Sequence, residues 1–274
     1  MMNAFRAACV QLRSSDDVED NIRAASELIR EAKAQAAEFI ATPENTTLMA
    51  PDGGAKLQRS FPEEGDPALP CFRTLAEELS AWLLIGSLAI KVSETKTANR
   101  SFLIDPKGRI AARYDKIFLF DVDLPSGEIY RESNTVAGGH RAVVADIGGC
   151  KVGLSICYDL RFPQLYRKLA QAGVQLLTIP SAFTETTGKA HWHTLLRARA
   201  IENGAFVVAP AQGGTHANGR QTYGHSMIVS PWGEILAEAG KDPGVILADI
   251  DLSAARIARE RVPSLRHDRN FEGP

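Results

Sequence analysis

Short apolar runs end, again and again along this chain, in a polar or proline-marked turn, and helical-period segments lie between them. The run A-F-R-A-A-C-V-Q-L at residues 4–12 reads as a short, largely buried strand. Val18, Ile22, Ala25, Leu28, Ile29, Ala32 and Ala36 then recur at helical spacing between Asp16 and Glu38, with a Ser/Asp cluster ahead of them to cap the helix. F-I-A-T follows as a second strand and stops abruptly at Pro43-Glu44-Asn45. The cycle returns with a helix near 70–80 and the strand W-L-L-I-G-S-L-A-I. S-F-L-I-D and R-I-A-A-R-Y form a hairpin through the turn Asp105-Pro106-Lys107-Gly108. Lys151 to Ile156 predicts a strand and Pro163 to Gly173 a helix, proline suiting a first helical turn and glycine a stop. Val174 to Ile179 predicts a strand, Lys189 to Glu202 a long helix, and 205–210, 223–230, 234–238 and 244–250 further strands.

Units of β-α-β mixed with hairpins point to an α/β fold of large mixed sheets covered by helices. Two stacked sheets and a single doubly wound sheet both satisfy this pattern. No Gly/Ser/Pro-rich linker or low-complexity tract divides the 274 residues, so one domain over 1–274 is expected. With 45% apolar and 23% charged residues the composition is that of a soluble globular protein. Net charge is −2 and the Lys and Arg residues are scattered, which argues against nucleic acid or an anionic membrane as partner. M-M-N-A-F-R-A-A-C-V lacks the basic start and long apolar segment of a signal peptide, and no apolar run reaches membrane-spanning length. Cys9, Cys71, Cys150 and Cys157 form neither a C-x-x-C pair nor a dense framework, which suits a reducing cytoplasm.

Three positions share one setting, a charged or reactive residue just beyond an apolar strand: Glu44 in T-P-E-N-T, Lys116 in R-Y-D-K-I-F, and Cys157 in S-I-C-Y-D. Ligands collect at the carboxyl ends of strands in α/β sheets, so the three are candidates to converge. Singly, each has an ordinary explanation: a solvated Glu, a surface Lys beside Asp115, a Cys that packs like a small hydrophobe. Together they supply a complete kit for opening an amide. A thiol nucleophile needs its proton removed, which a carboxylate can do. The tetrahedral oxyanion needs a cation or N–H donor, which a Lys ammonium and the backbone N–H of Tyr158 can provide. The histidines, at 140, 191, 193, 216, 225 and 267, accompany no papain-like or caspase-like sequence around a cysteine. His191 and His193 lie two apart on a helix and point to different sides, so they are expected to cap or pack and not to share a metal. No Cys/His cluster at metal-ligand spacing appears elsewhere, and Gly148-Gly149 and Gly213-Gly214 mark turns and not nucleotide loops. Arg197 and Arg199 are expected as internal ion-pair or dimer contacts, and Asp159 and Arg161 as braces of the turn after Cys157.

P-E-N-T, Y-D-K-I-F-L-F-D-V-D, R-E-S-N, G-L-S-I-C-Y-D-L-R-F-P, P-S-A-F-T-E-T-T-G-K-A-H-W and Y-G-H-S-M-I-V-S-P-W-G, in that order from about residue 4 to 265, together resemble the nitrilase (carbon–nitrogen hydrolase) superfamily. The resemblance implies that Glu44, Lys116 and Cys157 are the catalytic Glu-Lys-Cys triad and that Glu132 in R-E-S-N is an additional active-site carboxylate. Tyr158, Phe183 and Thr187, on the turn after Cys157 and in the S-A-F-T-E-T-T-G loop, are candidates for substrate contact. The fold it implies is a four-layer α-β-β-α sandwich, and pairing of two chains would stack the sheets into an extended homodimer.

Within the superfamily, A-H-W-H-T-L-L-R-A-R-A-I-E followed by Y-G-H-S-M-I-V-S-P-W-G is most similar to amidases that hydrolyse deaminated glutathione. Omega-amidases acting on 2-oxoglutaramate and 2-oxosuccinamate come next. The reading that follows is a cytoplasmic amidase, without metal or organic cofactor, converting the terminal carboxamide of a small carboxylate-bearing substrate to acid and ammonia through a cysteine thioester. A catalytically silent binding protein and a redox-sensing thiol protein are the alternatives from other classes. In one place the chain departs from the pattern: Phe118 stands where many of these amidases carry His in K-x-H-L-F.

Overall fold

The computed structural model describes residues 3–124 and 127–273; the outermost ends of the expected 1–274 domain, and residues 125–126, lie outside them. In the first part of the chain lie β1 (Ala4–Gln11), α1 (Val18–Ala34), β2 (Phe39–Ala41), α2 (Gly53–Gln58), α3 (Ala68–Leu79), β3 (Trp82–Lys91), β4 (Thr97–Ile104) and β5 (Ile110–Asp115). The middle holds β6 (Asp121–Asp123), β7 (Ile129–Arg131), β8 (Val143–Asp146), β9 (Lys151–Leu154), α4 (Pro163–Gln171) and β10 (Leu176–Thr178). Then come α5 (Glu185–Asn203), β11 (Phe206–Ala209), β12 (Gly213–Thr215), β13 (Gln221–Tyr223), β14 (Met227–Val229), β15 (Ile235–Glu238), β16 (Gly244–Asp251) and α6 (Leu252–Arg261).

Two six-stranded sheets result, ordered β16-β1-β2-β3-β4-β5 and β15-β14-β11-β10-β9-β8. Each has three parallel strands at its centre and antiparallel strands outside them. Strand alternation sorts the side chains into layers. From β1, Phe5, Ala7 and Cys9 join a core shared with the second sheet, which also takes in Val152, Leu154, Val207, Trp192 and Leu196. From the same strand, Ala8 and Val10 face the other way, onto Ala25 and Ile29 of α1 and Phe72 and Leu75 of α3. Helix, sheet, sheet, helix is therefore the layering, the two-sheet option that local pattern left open. Among the described residues no helix is long and apolar enough to cross a membrane.

The elements start and stop where local chemistry sets them. Asp17 caps α1 by accepting from Asp20 N at 3.0 Å. The helix ends at Ala34, short of the expected Glu38, because the chain turns through a left-handed Ala36 (φ 66°) to feed β2. Thr184 caps α5 through the Thr187 N–H, which starts that helix at Glu185, four residues ahead of the expected Lys189. The expected strand over 223–230 is split, since Gly224 (φ 69°) and His225 (φ 54°) turn the chain between β13 and β14. β16 crosses back to pair with β1 along its whole length, Ala4 opposite Asp251 and Gln11 opposite Gly244.

One glycine decides how closely the two sheets' loops can meet. A Cβ on Gly86 would lie 2.0 Å from the Thr42 carbonyl oxygen and 2.5 Å from the Pro180 Cβ. Only glycine lets β3 pass between the loop that follows β2 and the loop that follows β10.

Candidate active site

β2 and β5 run in the same direction in the first sheet, so the residues just beyond them emerge at one edge. Glu44 follows β2, Lys116 follows β5 and Cys157 follows β9, and all three line a single cavity of about 580 Å³ together with Glu132. Lys116 Nζ donates to Glu44 Oε1 at 3.0 Å and to Glu132 Oε2 and Oε1 at 2.8 and 3.1 Å. Its ammonium is thus clamped between two carboxylates, with Lys116 2% and Glu44 3% exposed. The second oxygen of Glu44 accepts from Ala182 N at 2.9 Å, and Glu132 Oε2 accepts from Phe120 N at 2.7 Å.

Asn99 of β4 joins the cluster without having shown itself in the sequence. Its Nδ2 donates to Glu44 at 2.9 Å and to Glu132 at 3.2 Å, and its carbonyl accepts the Lys116 N–H at 3.0 Å. An Asn inside T-A-N-R-S-F carries no local signal; only the register of β4 against β5 sets it between the two acids.

Cys157 opens a 3-10 turn over Cys157–Arg161 with φ at 50°, a left-handed conformation that is uncommon for a residue with a Cβ. The chain is held there at several points. Cys157 N donates to the Pro180 carbonyl at 2.9 Å. Buried Asp159 accepts from Ile156 N at 2.8 Å, Tyr114 OH at 2.6 Å and Phe118 N at 2.9 Å, joining the cysteine turn to the segment after Lys116. Arg199 of α5, also buried, donates twice to the Leu160 carbonyl, at 3.0 and 2.7 Å. Among the described residues, no hydrogen bond from the Tyr158 N–H is found. Positions at the start of a helical turn leave such donors open.

The electrostatics follow from burial and pairing. Burial works to raise the Glu44 pKa, but the Lys116 charge and the neighbouring Cys157 thiol overcome it and hold the acid down to about 2. Burial likewise opposes the Lys116 charge and is outweighed by Glu132, Glu44 and Cys157, so the ammonium is retained well past its ordinary range. Burial and then the Glu44 charge push the Cys157 thiol up, with Lys116 acting in the opposite sense. The resting set is carboxylate, ammonium and thiol. Burial also raises Asp159, to about 6, against its three donors.

Tyr158, Phe183 and Thr187 all line the cavity. Tyr158 and Phe183 flank the Arg161 guanidinium at 5.9 and 5.4 Å, and Arg161 also contacts His191 Nδ1 at 3.3 Å. Arg161 therefore belongs to the cavity wall, and the expected bracing of the turn falls to Asp159 and Arg199. Thr187 is partly engaged by its helix cap, its hydroxyl 2.9 Å from that of Thr184. Phe118 stacks on Phe162 with ring centroids 3.6 Å apart, so the aromatic ring in place of histidine packs under the cysteine turn.

His191 and His193 point apart, as their spacing requires, but neither sits in the core. His193 Nε2 and His225 Nδ1 both reach Glu238 Oε1 at 2.8 Å, and the three donor atoms lie within 4.8 Å of one another. This is the kind of metal-capable set that sequence spacing did not disclose, since 32 residues separate the two histidines. Cys150 is buried ahead of β9 and, like Cys157, is a free thiol.

Residues 6–260 match the family described as carbon-nitrogen hydrolase. A deaminated glutathione amidase from Synechocystis sp. is 41% identical over 271 residues, spanning 97% of this chain and 98% of that protein. A human omega-amidase is 37% identical over 274 residues, spanning 98% and 96% respectively. Among solved structures, the C. elegans NitFhit protein superposes with a TM-score of 0.91 at 37% identity, covering 98% of this chain and 66% of that one.

Proposed function

The chain belongs to the carbon–nitrogen hydrolase family and is an amidase; from that premise we propose that Cys157, Glu44 and Lys116 carry out the hydrolysis, with Glu132 positioning Lys116. The observation that carries this reading is the buried cluster in which one ammonium is held by two carboxylates beside a cysteine in a left-handed backbone conformation.

Cys157 Sγ attacks the amide carbonyl carbon while Glu44 takes the thiol proton. The raised thiol and depressed acid make that transfer uphill in the resting enzyme, so it is completed as the C–S bond forms and the oxyanion develops next to Lys116. Lys116 and the open Tyr158 N–H hold the oxyanion. Glu44 returns the proton to the departing nitrogen, and the C–N bond breaks. A water then gives its proton to Glu44 and attacks the thioester, releasing the acid and restoring the thiol.

The substrate proposed is deaminated glutathione, on the strength of the 41% identical relative of that name, with 2-oxoglutaramate as the second reading. The two share chemistry: glutathione is a γ-glutamyl peptide, so cleavage at its deaminated glutamyl end leaves the same 2-oxoglutaryl group on the cysteine. Only the leaving group differs, ammonia from 2-oxoglutaramate and cysteinylglycine from deaminated glutathione, so the terminal carboxamide and ammonia expected from the sequence apply to 2-oxoglutaramate and not to deaminated glutathione. Tyr158, Phe183 and Thr187 are proposed as contacts of that acyl group.

We take the described chain to act as one catalytic domain in the cytoplasm, a setting that suits its four free cysteines, and to pair with a second copy. Exposed Ile201, Trp232, Ile235 and Leu236 support pairing, Ile201 lying directly against Gly233. Light scattering at micromolar concentration is expected to give a dimer mass; a monomer would remove that part.

The test is a paired assay with Cys157→Ala as blank, reading ammonia from 2-oxoglutaramate and free cysteinylglycine from deaminated glutathione. Faster release of cysteinylglycine supports the proposed substrate, and preference for 2-oxoglutaramate replaces it with the second reading. Folded protein that turns over neither contradicts both.

A further inference from the structure

Lys56 and Arg220 are two cations that the amide chemistry above does not use. Both line the cavity, and each is tethered to a residue that adjoins or binds Glu44. Lys56 Nζ donates to the side chain of Asn45, next to Glu44, at 2.7 Å. Arg220 Nη2 donates at 2.9 Å to the carbonyl of Ala182, whose own N–H binds Glu44.

Neither cation is neutralised. Among the described residues neither has a carboxylate within ion-pair distance; of the three acids that line the cavity, Glu44 and Glu132 are engaged by Lys116, and Asp52 caps α2 by accepting from Ala55 N at 2.8 Å. Arg220 Nε is buried and has no hydrogen-bond partner, while its guanidinium lies 5.4 Å from the Tyr130 ring centroid. Burial lowers the Lys56 pKa from its ordinary value; Glu132 and Glu44 oppose this, and the charges of Arg220 and Lys116 add to it. Two like charges sharing one cavity, one with an orphaned buried donor, cost stability unless an anion binds between them.

We propose that Lys56 and Arg220 form the subsite that receives a carboxylate of the substrate, remote from the amide that Cys157 attacks. The assignment rests on the amidase reading and deepens it, because it makes an anionic amide the substrate class. A guanidinium presents planar donors that suit a carboxylate, and the ammonium adds a second positive charge in the same cavity. An uncharged amide would leave both cations unpaired.

The experiment compares 2-oxoglutaramate with pentanamide, an uncharged five-carbon amide, in the wild type, Lys56→Met and Arg220→Met. The ratio of kcat/KM for the anionic over the neutral amide is expected to fall at least about 30-fold in each variant, through KM, the size of a lost charged hydrogen bond. Arg220→Lys and Lys56→Arg are expected to recover part of the ratio. In parallel, glutarate binding to Cys157→Ala protein is measured by calorimetry with and without the second substitution, and is expected to weaken by a similar factor. If Arg220→Met does not fold, Lys56→Met reads the same ratio from the other cation of the pair. A ratio within about threefold of wild type, with glutarate affinity unchanged, overturns the subsite. Glutarate binding that depends on the two cations in a protein that hydrolyses neither amide contradicts the amidase reading and leaves the subsite standing.

Discussion

At Cys157 two requirements pull against each other. Burial at 7% exposure beside the Glu44 carboxylate disfavours a thiolate, while the proposed chemistry needs a nucleophilic sulfur. A thiol kept protonated at rest and deprotonated only during attack reconciles them. The difference in 240 nm absorbance between wild type and Cys157→Ala should therefore show no thiolate inflection between about pH 6 and 8; one in that range would contradict a protonated resting thiol. Glu44 behaves oppositely. Its folded pKa lies below the usual carboxylate value, so the stability it contributes is present at neutral pH and is lost as pH falls from the ordinary Glu range toward about 2. Asp159 carries the other sign: with its pKa raised to about 6, folding binds an extra proton between the ordinary Asp value and that point, and stability falls as pH rises through the interval. At this scale much of the site could be read from sequence. Glu44, Lys116 and Cys157 each end an apolar strand, a local pattern. Asn99, Arg199 and Arg220 act through register and tertiary reach, which no neighbouring residue announces.

The elements explain why those side chains meet at all. Helix starts were legible where a side chain caps them, as at Asp17, but the cap at Thr184 was concealed in a Thr/Gly-rich stretch that reads as loop. α2 was not foreseen because its G-G-A-K-L-Q sequence opens with two glycines, and six residues have no periodicity to find. It nonetheless carries Lys56 to the cavity. β3 illustrates the tightest constraint. Gly86→Ala would place a methyl 2.0 Å from the Thr42 carbonyl, forcing apart the loop that holds Glu44 and the Pro180 carbonyl that anchors Cys157. We expect that substitution to cost at least about 2 kcal/mol in denaturant unfolding, as overpacked sites do, and to lower kcat at least tenfold. Near-native stability and rate would mean that the two loops do not depend on this crossing.

For the whole molecule, the alternation of strands and helices established the α/β class but left the number of sheets open. Periodicity reports which residues are apolar and says nothing about which strands pair. The pairing of β16 with β1 joins residues about 240 positions apart and sends the last strand back to the first sheet, an arrangement no local window contains. The resemblance supplied what the pattern could not, and the layering of the two cores agrees with it. The sandwich brings the ends of three strands from two sheets to one cavity, so the proposed nucleophile Cys157 stands on one sheet and Glu44 and Lys116 on the other, with Asp159 and the Ala182 N–H tying the two together. The central claim is that amide cleavage passes through an acyl group on Cys157. Intact-mass spectra of protein acid-quenched during its first turnovers of 2-oxoglutaramate test it most directly. A single added 2-oxoglutaryl mass in wild type, absent from Cys157→Ala, is the predicted result. Turnover with no adduct on the wild-type chain, or the same adduct on Cys157→Ala, would contradict the account.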